Sequence, residues 1–143
     1  MKKNLLIIAV ILTANLNAQV TPCSDLFISE YVEGSQTNKA LEIYNPTSQE
    51  IDLSSYMIIR YSNGVTSAGS ANAIQLTGMI GPNDVHVGVI EKLDPSGTGQ
   101  NVAVSTVLQS YADEFYCPDY SISNAWYFNG NDAIVLARGT VND

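Results

Sequence analysis

Apolar and polar side chains alternate along short runs from residue 26 onward, and this period of two most constrains the fold. Leu41 and Ile43 lie on one side of such a run, with Glu42 and Tyr44 on the other. Alternation of this kind is typical of half-buried β-strands, because successive side chains of a strand point to opposite faces. The chain is therefore predicted to be all-β. Six or more short antiparallel strands in 143 residues favour a β-sandwich over a barrel.

Turn signals between the runs predict three hairpins. The first lies at Asn63-Gly64, where a type I′ turn needs positive φ at both central residues, and its second strand is expected to start at Val65. Residues 102–108 fit either a strand or a short helix that continues to Glu114. The other two hairpins are predicted to join residues 74–76 to 85–89 and residues 125–128 to 133–137.

The first eighteen residues have the pattern of a secretory signal peptide. Lys2 and Lys3 precede an apolar run from 5 to 12, and the segment ends at Ala18. The run is interrupted before it reaches the ~20 apolar residues that a membrane span needs. A retained anchor and a lipoprotein acylated at Cys23 are the alternatives. The expected organisation is a signal peptide helix over 1–18, an N-terminal arm over 19–24 and one domain over 25–143.

Export changes how the two cysteines are interpreted, because thiols outside the cytoplasm tend to become oxidised. Cys23 and Cys117 are the only cysteines in the chain, so we predict a disulfide between them. Closing a loop of ~100 residues contributes about 4.7 kcal/mol in chain-entropy models. The alternative is that both thiols stay free, or that Cys23 lies in a loose arm.

Composition and the lack of catalytic motifs argue against an enzyme and against nucleic-acid binding. Six Lys and Arg against fourteen Asp and Glu give a formal net charge of −8, so no basic surface is expected to follow a phosphate backbone. The chain has a single histidine, His86, which parity places opposite the neighbouring valines, on a face expected to meet solvent. No nucleophile elbow, phosphate-binding loop or zinc-binding helix motif occurs. We assign no catalytic residue.

Acids and amides supply the remaining candidate site residues. Glu30 falls on the apolar side of its predicted strand with Ile28 and Val32, so its carboxylate should be paired or hydrogen-bonded. Trp126 is the expected core anchor among aromatic residues that could otherwise form a binding platform. Loop oxygens of exported acidic domains can bind calcium, the one cofactor considered. The candidate calcium ligands are Asp94, Asn129, Asn131 and Asp132.

Four segments, taken in order, carry a family pattern: Asp25–Gly34, Asn38–Thr47, Ile51–Tyr56 and Phe128–Leu136. Together they resemble the lamin-tail domain (LTD), the immunoglobulin-like β-sandwich of nuclear lamins and of many exported bacterial proteins. The resemblance implies an immunoglobulin-like antiparallel β-sandwich without catalytic residues. It also implies that Glu30, Glu42 and Asn45 are fold-holding polar residues that satisfy loop backbone groups. A further strand would follow Gly139 and Asp143, so a C-terminally truncated domain is expected.

The sequence therefore predicts a non-catalytic binding or tethering module of a secreted, periplasmic or cell-surface bacterial protein. Its expected partner is an extracellular protein or polysaccharide, with no direct nucleic-acid binding and no membrane span after signal cleavage. The alternative is an accessory domain of a secreted nuclease or phosphodiesterase whose catalytic domain lies outside this chain.

Overall fold

A computed structural model describes residues 23–141. The predicted signal peptide over 1–18 and the arm up to residue 22 lie outside the described residues. Within them the chain forms nine strands and one α-helix. The elements are β1 (Phe27–Glu33), β2 (Lys39–Tyr44), β3 (Ile51–Asp52), β4 (Tyr56–Tyr61), β5 (Ala73–Gln75), β6 (Met79–Ile80), β7 (Val85–Ile90), α1 (Thr106–Tyr111), β8 (Glu114–Tyr116) and β9 (Ala133–Arg138).

The strands form two main sheets and a small third one. The larger sheet has the order β1-β2-β7-β8, the second has the order β5-β4-β9, and β3 pairs with β6. All pairs are antiparallel except β7 and β8, which are parallel and are connected through α1. A parallel pair needs such a crossover, because a tight turn reverses the chain and can join only antiparallel strands. The predicted all-β, immunoglobulin-like sandwich is confirmed.

Alternation in the central strands builds the core between the sheets. Leu41 and Ile43 of β2 and Ile58 of β4 are at most 1% exposed. Trp126 is fully buried, and its ring stacks on Tyr116 with centroids 4.5 Å apart. Burial of each such side chain contributes about 1.5–3 kcal/mol relative to exposure. Trp126 is the core anchor that the sequence predicted.

A bulge in β1 overturns the predicted facing of that strand. The register with β2 shifts between Ile28 and Glu30, so that one extra residue stands on the β1 side. Ile28 and Tyr31 therefore both pair with core residues of β2, whereas Glu30 pairs with Glu42 on the outer face. The prediction that placed Glu30 on one side with Ile28 is wrong, because the extra residue reverses the alternation.

The predicted hairpins form only in part. Asn63 and Gly64 have positive φ as expected, at 53° and 76°. The strand that pairs with β4 begins at Ala73 instead of Val65, since the small and polar residues between them have low β propensity. β7 pairs with β2 and β8, not with β5, and residues 125–128 form no strand. The helical alternative for the region from 102 to Glu114 is right in part: α1 covers Thr106–Tyr111, whereas residues 102–105 are not helical and Glu114 begins β8.

The prediction that His86 faces solvent is also wrong. Its parity opposite the valines is right, but the side chain is 5% exposed and Nε2 lies 3.1 Å from the hydroxyl of Tyr116. The opposite face of β7 is covered as well, because α1 packs there and Val89 is fully buried. Burial lowers the pKa of His86 and outweighs the carboxylates of Asp113 and Glu114, which raise it.

Candidate functional site

A cleft of about 440 Å³ opens where four loop regions meet beside the core. Its walls carry four amide side chains, two hydroxyls and three aromatic rings, and none of its residues is acidic. Pockets of this size with a few convergent polar groups are typical of ligand sites. The lining residues are Gln36, Thr37, Lys39, Arg60, Ser62, Asn63, Ile90, Gly99, Gln100, Tyr120, Tyr127, Phe128 and Asn129.

A buried ion pair fixes one wall of the cleft. Arg60 lies on the inward side of β4, and its Nε donates to Oδ2 of Asp132 at 2.8 Å. The Asp132 side chain is fully buried and also accepts the backbone N–H groups of Asn63 and Asn129, at 2.8 and 3.0 Å. Burial raises the pKa of Asp132, but these hydrogen bonds and the Arg60 charge outweigh it and hold the pKa below its usual value. The pair thus locks two amide-bearing turns to the sandwich.

Lys39, the first residue of β2, places the second cation in the cleft. The residue is 8% exposed, and Nζ lies 3.3 Å from the carbonyl oxygen of Gly34 and 3.8 Å from the carboxylate of Glu33. The ring of Phe128 lies below it, with the centroid 6.0 Å from Nζ. Among residues 23–141, Gly34 supplies the single hydrogen-bond acceptor for this ammonium, which carries three N–H donors. Two of its three N–H donors therefore have no hydrogen-bond acceptor among residues 23–141, and the Glu33 carboxylate lies beyond hydrogen-bond distance.

Aromatic residues form the base and the mouth of the cleft. Ile90 and Phe128 are fully buried and make an apolar base. Tyr120 is 42% exposed, and its ring packs edge-to-face against Tyr127 with centroids 4.8 Å apart. Lys92 lies 5.5 Å from the Tyr127 ring and donates to a backbone carbonyl, which holds that ring from the other side. The edge-to-face contact with Tyr127 thus holds the Tyr120 ring at the mouth of the cleft.

Left-handed backbone shapes the loops around the cleft. Gln36, Asn63 and Gly99 have φ of 57°, 53° and 59°. Asn and Gly adopt this region readily, whereas Gln does so only where the surrounding structure imposes it. The turn at Gln36 is closed by a hydrogen bond across it, in which the Gly34 N–H donates to the Asn38 carbonyl at 2.8 Å.

The predicted calcium ligands do not converge in the described part of the chain. Asp94 accepts the backbone N–H and the hydroxyl of Ser96 at 2.8 and 2.7 Å, while Asp132 is paired with Arg60. Asn129 lines the cleft, and the backbone N–H of Asn131 is directed at its side-chain oxygen. No set of three or more His, Cys, Asp or Glu side chains within residues 23–141 is arranged to hold a metal ion. Calcium binding stays a prediction.

The three predicted fold-holding residues differ in their surroundings. Asn45 is fully buried, donates to the carbonyls of Gln49 and Gly81 at 2.7 and 2.9 Å, and accepts from Thr47. Glu42 accepts one hydrogen bond, from the Ser29 hydroxyl at 2.7 Å. Glu30 is exposed, and no donor among residues 23–141 reaches its carboxylate. Asn45 thus has contacts that suit the predicted role, and the roles of Glu30 and Glu42 stay predictions.

The predicted Cys23–Cys117 disulfide is absent from the structure. Cys23 is an exposed free thiol, and Cys117 is a buried one. The Cys117 side chain is directed into the core, where Sγ lies 3.3 Å from the Ser123 hydroxyl. Burial raises the pKa of the Cys117 thiol. The disulfide therefore stays a prediction.

Sequence reasoning missed Lys39 and Arg60, although one signal for Arg60 was present. Arg60 has the same parity as Tyr56 and Ile58, so alternation alone puts it on the core face of β4. A charged residue at such a position must be paired, and Asp132 is the partner. Lys39 offers no comparable signal, because it stands at the start of its strand.

These features define the class of protein: an immunoglobulin-like β-sandwich with a polar cleft beside its core. The family model of the Lamin Tail Domain matches residues 19–143, and the chain belongs to this family. The resemblance seen in the sequence is thereby confirmed, and the family is a non-catalytic one. No curated protein and no solved structure gives a significant match. No helix in residues 23–141 has the length and hydropathy to cross a bilayer.

Proposed function

We propose that the chain is a non-catalytic binding or tethering module of a secreted or cell-surface bacterial protein, which holds an extracellular protein or polysaccharide in the cleft. The carrying observation is the cleft itself. It combines an exposed tyrosine at its mouth, four amide side chains on its walls and the Lys39 ammonium, which donates to one backbone carbonyl among the described residues. A concave site with a few convergent polar groups is suited to hold a ligand.

The export part of the proposal rests on the signal-peptide pattern at residues 1–18. It is tested by producing the full chain with a C-terminal tag in a bacterial host. The expected product begins at Gln19 and is recovered from the periplasm or the medium, as measured by intact mass. An uncleaved chain in the cytoplasm would refute export.

The binding part is tested with the same secreted protein. We expect it to co-sediment with a cell-envelope polysaccharide fraction or an envelope protein fraction, and we expect Tyr120→Ala to reduce that retention. Tyr111→Ala is the matched control, because Tyr111 is a more exposed tyrosine, at 68%, that lies outside the cleft lining. Equal retention of the two variants would show that the cleft does not hold the partner.

A further inference from the structure

We propose that the ligand of the cleft is an oligosaccharide with a single carboxylate, such as one terminal hexuronic acid, and that Lys39 binds this carboxylate. The inference rests on the proposed function, since it names the ligand class for the same cleft. Three observations carry it: the Lys39 ammonium, whose nearest carboxylate (Glu33) is 3.8 Å away, the pairing of the strands that form the walls, and the net charge of the chain.

The two cations of the cleft differ in how their charge is matched. Arg60 is neutralised by Asp132 at 2.8 Å, and its remaining N–H groups donate to Ser62 and to the Asn124 carbonyl. The carboxylate nearest to Lys39 belongs to Glu33, and it is 3.8 Å away, beyond hydrogen-bond distance. A ligand carboxylate would supply a charged hydrogen-bond acceptor closer to Lys39 than Glu33, and the residues that line the cleft include no acid.

The wall strands favour a saccharide over a peptide. Extended peptides are commonly bound by adding a strand to a free sheet edge. Lys39, Arg60 and Ile90 belong to β2, β4 and β7, and each of these strands has a neighbour on both sides. No free edge opens into the cleft from these strands, so a peptide backbone has no strand to pair with there. Side-chain amides, which both donate and accept, suit the hydroxyl groups of a sugar ring.

Tyr120 supplies the apolar contact that a sugar ring also needs. Its ring is held edge-to-face by Tyr127, so little side-chain freedom is lost when a ligand packs on it. The neutral part of the ligand would thus pack on Tyr120 and hydrogen-bond the amide side chains, while its carboxylate would bind Lys39.

The net charge of the protein limits the ligand to one carboxylate. The chain carries −8 overall, and the first eighteen residues contribute two of its six basic groups. A polyuronate would bring many negative charges to a chain that already carries −8, and long-range repulsion would oppose its binding. A saccharide with one acidic end sugar places its single charge beside Lys39 and only neutral rings elsewhere.

The test is isothermal titration calorimetry of the full secreted chain with trisaccharides ending in glucuronic or galacturonic acid and with the methyl esters of the same trisaccharides. We expect at least one acid to bind about tenfold more tightly than its ester, which corresponds to about 1.4 kcal/mol. Lys39→Gln should bring the acid and its ester to equal affinity. Arg138→Gln, which removes a cation with a 66% exposed side chain outside the cleft, should leave the ratio unchanged.

Tyr120→Ala gives a second readout that does not depend on the stability of the Lys39 variant. It should weaken the acid and the ester by the same factor, because stacking involves the neutral ring. Equal binding of acid and ester by the unmodified protein would overturn the carboxylate assignment and leave the proposed function standing. Tighter binding of a C-terminal peptide carboxylate than of any sugar would overturn the saccharide class. Failure of the proposed function is separate, and would show as no envelope retention that depends on Tyr120.

Discussion

The buried ion pair beneath the cleft offers the sharpest test of the energetic reasoning. The side chains of Arg60 and Asp132 are 6% and 0% exposed, and their closest atoms are 2.8 Å apart. Asp132→Asn keeps the shape of the side chain but removes its charge, which leaves the Arg60 guanidinium buried without a counter-ion. Removal of one partner from a buried pair costs about 3–5 kcal/mol.

The expected change in melting temperature follows from the size of the domain. Unfolding entropy is about 2.1 cal/mol/K per residue, so a domain of about 120 residues has about 0.25 kcal/mol/K. A loss of 3–5 kcal/mol should therefore lower Tm by about 12–20 °C. Differential scanning calorimetry or circular dichroism measures it directly. The double variant Arg60→Met, Asp132→Leu should recover much of the loss, because apolar replacements of a buried pair are often neutral or stabilising.

A surface pair of the same geometry serves as the matched control. Arg138 and Asp25 lie 3.0 Å apart, but their side chains are 66% and 43% exposed. Water screens such a pair, so Asp25→Asn should lower Tm far less than Asp132→Asn. Equal shifts for the two variants would show that burial does not decide the strength of these pairs, and the reasoning would be refuted.

Three further predictions concern the core and its titratable groups. Gly88→Ala should destabilise the fold by about 1–3 kcal/mol in urea unfolding, because a Cβ there would lie 2.6 Å from Cζ2 of Trp126. Burial lowers the pKa of His86 in the folded protein, whereas the pKa of an unfolded histidine is about 6.5. The stability contributed by neutral His86 is therefore complete above about pH 6.5 and is lost as the pH falls below that value. Urea midpoints should decline from about pH 7 to about pH 5. A thiol reagent should label Cys23 rapidly and Cys117 only on unfolding.

Each of these three predictions has a control or an outcome that would contradict it. Gly130→Ala should be close to neutral, because no atom lies within 4 Å of a Cβ built there, and a similar cost at both glycines would contradict the packing argument. His86→Gln should flatten the decline between pH 7 and pH 5, and an unchanged slope would assign it to another group. Absence of any labelling in the folded and the unfolded protein would show that the two cysteines are joined after all.

Alternation predicted the central strands well because their partners lie on both sides and one face is buried. Leu41, Ile43 and Ile58 are where a period of two places them. The same rule failed at Glu30, because the extra residue in β1 depends on the register with β2 and not on local sequence. It failed differently at His86. Parity tells which residues share a face, but it does not tell which face another layer covers.

The candidate site was largely beyond sequence reasoning. Its lining comes from stretches as far apart as Gln36 and Asn129, which only the sheet order brings together. Turn signals located the bends at Asn63 and Asn129 but not the strands that the bends connect, because pairing partners are chosen by distant burial. A charged residue in phase with a core face, as at Arg60, was the one local sign of the site.

The contact between Asp25 and Arg138 has a mechanical consequence. Asp25 lies just before β1 and Arg138 is the last residue of β9, and both also hydrogen-bond the hydroxyl of Tyr56, so β1 begins and β9 ends at the same corner of the sandwich. β1 and β9 are each the outermost strand of a sheet. A load applied between the start of β1 and the end of β9 would break the hydrogen bonds of these strands one after another, instead of all at once. We expect the domain to extend at low force and to act as a compliant spring wherever it links two larger bodies.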